Sequence, residues 1–369
     1  MIAVATVTAL TAAALATPAA GLLAHRALRR AQAARTLRID SPRGIDEQGF
    51  VRIGGIDQWI SVRGEDRTNP VLVEVHGGPG AANAIYTVRT RSWERHFTIV
   101  RWDMRGAGKT FGRGGAEGQG EATFQRLYED ALEVTQYARR LLRADRVVLL
   151  ANSYGTAFGL RLARAHPELY SAYVGTDQNI HSDGHDTSAH EALLERLRAA
   201  GKAKRLARVE SIGPDPYAWT PRQRATYAKL SAQSDPLTLE TLKKVVLGSM
   251  WLSPLHSLRD LRDYFRGQSF SERITGGTAG FDDRADGTRF GIPFFVFQGE
   301  HDVLTPAATA RAFFDEVRAP VKHFALIEDC GHFGSFRRPD RFLELLLTHV
   351  RPAVTTTPAA ASPTHLRAA

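Results

Sequence analysis

Residues 147–159, Val-Val-Leu-Leu-Ala-Asn-Ser-Tyr-Gly-Thr-Ala-Phe-Gly, decide how the rest of the chain is read. The first five are apolar without interruption, which suits a short strand buried on both faces of a sheet. Small and apolar residues then resume at helical spacing, with Phe158, Leu160 and Leu162 on a helix starting near Tyr154. Between strand and helix stands Ser153, flanked by Asn152 and Tyr154 with Ala151 and Gly155 outside them. A serine in so sharp a turn needs small neighbours, and a helix beginning behind it favours negative charge there. The sequence fits the nucleophile-elbow pattern G-x-S-x-G, with Ala in place of the first Gly. An ordinary helix cap would look similar, so the partners decide.

Moving outward, short β-rich runs alternate with helical ones: strands are expected at 50–53 and 58–62 (a hairpin about Gly54-Gly55), 70–75, 97–102, 147–151, 172–176, 294–298 and 323–327. That alternation predicts an α/β fold, an eight-stranded, mostly parallel sheet with helices on both faces. Phe124, Leu127, Ala131, Val134, Ala138 and Leu141 share one stripe of a helix starting near Thr123. From 178 to 290 the strands stop, and helices are expected at 190–209, 221–234, 237–248 and 255–266. Such an insertion would lie over the C-terminal edge of the strands as a helical cap. The core is then 36–177 together with 291–351.

Two residues past strand ends complete a triad. Asp302 follows strand 294–298 in Gly299-Glu300-His301-Asp302, and His332 follows strand 323–327 in Asp329-Cys330-Gly331-His332. The order Ser, Asp, His along the chain is the one this sheet architecture uses. His332 would take the Ser153 proton, with Asp302 fixing the imidazole tautomer. Asp177, also just past a strand, competes for the acid role. An oxyanion hole is expected from the Tyr154 N–H and from the loop His76-Gly77-Gly78-Pro79-Gly80, with Gly78 as donor and Gly77 second. His76 reads as a structural hydrogen-bonding residue.

His76-Gly77-Gly78-Pro79-Gly80 and Trp102-Asp103-Met104-Arg105-Gly106-Ala107-Gly108, with the elbow, cap and late Asp and His, resemble the proline iminopeptidase group of α/β hydrolases over about residues 45 to 350. Met104 stands where that group has Gln, and Ala151 replaces the elbow Gly. The resemblance implies a serine hydrolase that releases N-terminal residues, often proline, from small peptides. It also implies cap carboxylates that hold the free amine; Glu191 and Glu195 are the candidates, with Glu210 and Glu240 behind them. Some members place Glu directly after the catalytic Asp, and here Val303 stands there. An esterase, lactonase or amidase, or a catalytically silent member of the fold, is the alternative.

Other chemistries fit less well. Gly108-Lys109-Thr110 is no phosphate-binding loop, because the Gly required five residues before Gly108 is Asp103. His181, His185 and His190 with Asp183 and Asp186 match no zinc-ligand spacing, so neither metal nor cofactor is expected. A carboxylate nucleophile, as in epoxide hydrolases and dehalogenases, is excluded by Ser153. The net charge of +9 invites nucleic acid, but the arginines are scattered rather than striped, and no nucleic-acid partner is expected. One cysteine, Cys330, allows no intrachain disulfide and leaves the compartment open.

The ends are distinct. Residues 2–24 carry no charge and are followed by Arg26, Arg29, Arg30 and Arg35. Residues 1–35 are expected to be a hydrophobic segment and a basic linker, with a membrane anchor that leaves the catalytic body on the cytoplasmic side as the favoured expectation. A cleaved signal of a secreted protein and an Ala-rich extension of a soluble cytoplasmic one are the alternatives. Residues 352–369, mostly Pro, Ala and Thr, are expected to be a disordered tail.

Overall fold

The computed structural model describes residues 20–180, 188–215, 218–273 and 282–355. Its centre is one eight-stranded sheet in the order β1-β2-β4-β3-β5-β6-β7-β8. β1 (Ile45–Ile53) and β2 (Ile56–Gly64) form the expected hairpin, longer at both outer ends because Ile45 pairs with Gly64. β2 runs antiparallel to β4 (Thr98–Asp103), and every later pairing is parallel: β3 (Val71–Val75), β5 (Val147–Asn152), β6 (Tyr170–Thr176), β7 (Phe294–Gly299) and β8 (Lys322–Ile327). The eight expected strands are all present, displaced at their ends by a few residues at most apart from the hairpin.

Side chains of β5 alternate between two cores, as a strand covered on both faces requires. Leu149 and Ala151 pack with Phe124, Leu127 and Phe158, whereas Val148 and Leu150 pack with Trp93, Phe97 and Phe342. A helix over residues 20–36 (α1) precedes the sheet, and α2 (Gly108–Gly114) follows β4. The first core is covered by α3 (Phe124–Leu142), which starts where Thr123 accepts a hydrogen bond from the Arg126 amide, and by α4 (Gly155–Ala165).

Between β6 and β7 the described residues form helices and no strand, as the sequence led one to expect, but their breaks differ. The stretch 190–209 is two helices, α5 (Ser188–Ala199) and α6 (Ala203–Ile212). Gly201, at φ +63°, turns left-handed between them, and the Lys202 amide bonds back to Leu197. α7 (Pro221–Ser234) falls as expected, with Thr220 and Gln223 in a reciprocal capping box. The stretch 237–248 is α8 (Pro236–Thr241), a wider π turn over Leu242–Leu247, and then α9 (Gly248–Leu252). α10 (Leu258–Ser271) begins later than expected because Ser257 and Asp260 form its capping box.

After β7 come α11 (Ala307–Glu316), β8, α12 (Gly334–Arg337) and α13 (Pro339–Leu345). The last helix, α14 (Arg351–Thr355), corrects the expected start of the tail: the chain stays helical through Thr355, with Val350 buried just ahead of it. Residues 356–369 lie outside the described residues.

At the other end, residues 26, 30, 33 and 37 face the body and the rest of α1 is exposed. Arg26 donates to the Trp251 carbonyl at 3.0 Å and lies over the Trp251 ring, and Arg30 donates to the Pro254 carbonyl at 3.1 Å. The stretch 26–35 is therefore a docked helix rather than a linker. No helix among the described residues is long and apolar enough to cross a membrane, and most of the expected anchor, residues 2–19, lies outside them.

Candidate active site

β5 ends at Asn152, and Ser153 turns the chain into α4 with φ +51°, the left-handed region that a serine occupies only under strain. Its amide stays tied to the sheet through the Thr176 carbonyl at 3.1 Å. Gly155 is required, because a Cβ there would run into the carbonyls of Val75 and His76. Ala151 fits where the pattern has Gly because Gly159 lies opposite it. A Cβ on Gly159 would come within 2.6 Å of the Ala151 methyl, so the extra carbon at one position is matched by a missing one at the other.

The three expected residues meet. His332 Nε2 lies 3.0 Å from Ser153 Oγ, and His332 Nδ1 lies 2.8 Å from Asp302 Oδ2. Asp302 is itself held by donors: the amides of Leu304 and Thr305, each at 2.9 Å, the Thr305 hydroxyl at 2.8 Å and Gln298 Nε2 at 3.2 Å. Thr305 and Gln298 were not singled out from sequence; only Thr305, three residues past an Asp in a turn, carries a signal that could have found it. Burial alone would lower the His332 pKa, but the charges of Asp302 and Asp177 outweigh it and raise the value to about 9.

Asp177 does not take the acid position. Its buried carboxylate accepts from Asn152 Nδ2 at 2.6 Å and from the amides of Phe333 and Gly334 at 3.1 and 3.4 Å. It thus joins the residue before the nucleophile to the loop that carries the base. Burial raises its pKa to about 6, the neighbouring His332 opposing and Asp302 adding to the shift. Asp177, Asp302 and His332 also bring one ligand atom each within 4.8 Å of one another. Both imidazole nitrogens are already engaged, one with Asp302 and one with Ser153, an arrangement suited to passing a proton.

The glycine loop after β3 lies against the nucleophile: a Cβ on Gly77 would come 2.9 Å from the Ser153 Cβ. Gly78 has φ +122°, which favours glycine. Tyr154 caps α4, so its N–H belongs to a first turn whose amides have no carbonyl partner within the helix. His76 is structural, as expected. It contacts the Gly77 carbonyl through Nδ1 at 2.8 Å and accepts the Met104 amide at Nε2 at 3.1 Å, and burial lowers its pKa to about 4. It thereby joins the glycine loop to the Met104-Arg105-Gly106 turn. Arg105 in that turn is buried against Asp130 at 2.9 Å and supports the fold rather than the site.

The cap acids are not brought to the triad. Glu191 and Glu195 are exposed on α5, Glu210 pairs with Arg198, and Glu240 pairs with Lys244 and Arg337. His190 stacks on Tyr227, whereas His181, Asp183, His185 and Asp186 lie outside the described residues.

Comparison with known proteins places this geometry in a wider group. The profile of a family described as alpha/beta hydrolase fold matches residues 70–339. The chain is 24% identical over 303 residues to a probable aminopeptidase, YbaC, of Bacillus subtilis strain 168, spanning 81% of this chain and 94% of that one. It is 21% identical over 294 residues to a putative carbamate hydrolase, RutD, of Agrobacterium fabrum, spanning 80% and 98%. Among solved structures, a proline iminopeptidase-related protein from Thermus thermophilus superimposes with a TM-score of 0.54 at 19% identity, over 84% of this chain and 98% of that one. At that identity the likeness is one of fold.

Proposed function

The chain belongs to the alpha/beta hydrolase fold family, and from that premise we propose that it is a serine hydrolase working through an acyl-enzyme on Ser153. The continuous contact from Ser153 Oγ through His332 to Asp302, at 3.0 and 2.8 Å, carries the reading. His332 Nε2 takes the hydroxyl proton as Ser153 Oγ bonds to the substrate carbonyl carbon. The oxygen that becomes negative is received by the backbone N–H groups of Gly78 and Tyr154. Asp302 stabilises the imidazolium, which returns the proton to the leaving group as its bond to carbon breaks. A water activated by the same imidazole then releases the acyl group. No step calls for a metal or cofactor.

Within this class, an aminopeptidase of the proline iminopeptidase type is the favoured activity. The His76–Gly80 loop, the Asp103–Gly108 segment and the likeness to a probable aminopeptidase support it. An esterase or amidase acting on a small acyl substrate is the second reading. Glu191 and Glu195, exposed on α5, favour it, because an N-terminal amine needs a carboxylate beside the cleft. A panel of aminoacyl-naphthylamides and nitrophenyl esters, run with the native chain and Ser153→Ala, separates the two. Cleavage of the amides from a free N-terminal residue supports the peptidase; hydrolysis of esters alone removes it. Turnover that survives in Ser153→Ala removes both.

A further inference from the structure

Helix α1, the turn at Ile85–Arg89 and the cap line a cavity of about 270 Å³ that opens to the surface, and none of Ser153, Asp302 and His332 lines it. Among the described residues its charged lining is Arg29, Arg89 and Lys244, with no acid. Among the described residues Arg29 donates only to Gln32 Oε1, at 3.2 Å, and Arg89 Nε donates to the Phe336 carbonyl, at 2.8 Å. Neither guanidinium has a carboxylate within ion-pair distance among the described residues. Lys244 does pair with Glu240, at 2.6 Å, but Glu240 is shared with Arg337 at 2.9 Å. Burial lowers the Arg89 pKa, with Tyr86 opposing and Arg337 adding to the shift.

A second observation points to a ligand. The Ser249 hydroxyl oxygen is buried beside this cavity without a hydrogen-bond partner among the described residues. Buried polar atoms in folded proteins are nearly always satisfied, by protein, water or ligand. The remaining wall is apolar, with Ile85, Val88 and Leu252. A volume just below the range of pockets for drug-sized ligands, about 300–1,000 Å³, suits a molecule of roughly ten heavy atoms.

We propose that this cavity binds a small amphiphilic anion, a carboxylate or phosphate head carrying a short alkyl group. The head lies among Arg29, Arg89 and Lys244 and accepts from the Ser249 hydroxyl, and the alkyl group lies along Ile85, Val88 and Leu252. Guanidinium groups suit such a head because they offer paired, planar donors. The cavity walls come from α1, the core and the cap, so an occupant ties the three together and stabilises the folded chain in proportion to its concentration. This inference is independent of the hydrolytic reading.

Isothermal titration of the full chain with sodium octanoate tests it, with inorganic phosphate and hexanol as head-only and chain-only probes. Octanoate should bind saturably at one site per chain and raise the melting temperature, each separated half binding at least tenfold more weakly. The Arg29→Gln/Lys244→Gln variant should lose at least tenfold in affinity. So should Ala33→Trp, which fills the cavity from α1 without altering charge and guards against a folding defect in the first variant. Phosphatidylglycerol vesicles, compared with phosphatidylcholine vesicles, identify the source. Retention on the anionic vesicles, lost in the same variants, assigns the head to a lipid, and octanoate binding alone assigns it to a soluble anion. Absence of saturable octanoate binding, or binding unchanged in both variants, overturns the proposal.

Discussion

The base and the two carboxylates around it set the chemistry at the scale of single residues. His332 acts as a base only when neutral, and its pKa is raised to about 9 by Asp302 and Asp177 against the effect of burial. The pH profile of kcat/KM should therefore rise through neutral pH, reach half its limit near 9 and level off above it. Asp177→Asn removes one of the two charges that hold the proton on His332. The rising limb should then move to lower pH, and a profile that stays in place would show that this charge does not reach the imidazole. The same shift links to stability. A raised histidine pKa contributes stability fully below the unfolded value of about 6.5 and loses it as pH rises through the folded value. The fall in stability between those limits should be shallower in Asp177→Asn. The triad was legible because each member sits just past an apolar run, in an order the architecture constrains. The part played by Asp177 was not, since nothing local indicates that its carboxylate turns towards Asn152 and the Phe333 amide.

At the scale of elements, the turn between β5 and α4 works because two departures cancel. Ala151 adds a methyl to the strand, and Gly159 withholds one from the helix that crosses it. Gly159→Ala should destabilise the chain by about 1–3 kcal/mol through overpacking. Adding Ala151→Gly should recover a large part of that loss, though not all, because the Tyr173 ring also lies 2.9 Å from the new methyl. A double-mutant cycle followed by urea unfolding measures the coupling, and simple additivity would refute the account. The sequence showed the substitution at 151 but not its compensation, because two residues eight apart meet only once strand and helix are packed. Cap boundaries were less legible for a related reason. The helix start at Thr220 carries a capping signal that periodicity can use, whereas the break at Gly201 depends on a single left-handed residue in an otherwise helical run. Glu191 and Glu195 had the right residue type and spacing, but which helix face meets solvent is decided by tertiary packing.

Across the whole molecule, the N-terminal helix and the sheet edge are fastened by buried charge. Arg63 of β2 is nearly buried, bonds Glu94 at 3.0 Å and also reaches Asp46 and the Leu37 carbonyl just after α1. Removing one charge from such a pair leaves the other uncompensated. Glu94→Gln should cost about 3 kcal/mol, at the low end of the usual 3–5 because Asp46 remains a partner. Chemical denaturation checks this; a change below about 0.5 kcal/mol, typical of surface sites, would mean that the pair does not hold the edge. The excess of arginine is thus put to three uses that composition could not separate: buried pairs, the docking of α1 on the Trp251–Pro254 carbonyls, and the lining of an anion cavity.

The proposed hydrolysis depends on Ser153 carrying the acyl group. Intact-mass analysis of the chain, quenched during turnover of a slow nitrophenyl ester, tests it most directly. A mass increase of one acyl group is expected, placed on Ser153 by peptide mapping and absent from Ser153→Ala. Turnover accompanied by an acyl group on another residue, or undiminished in Ser153→Ala, would contradict it.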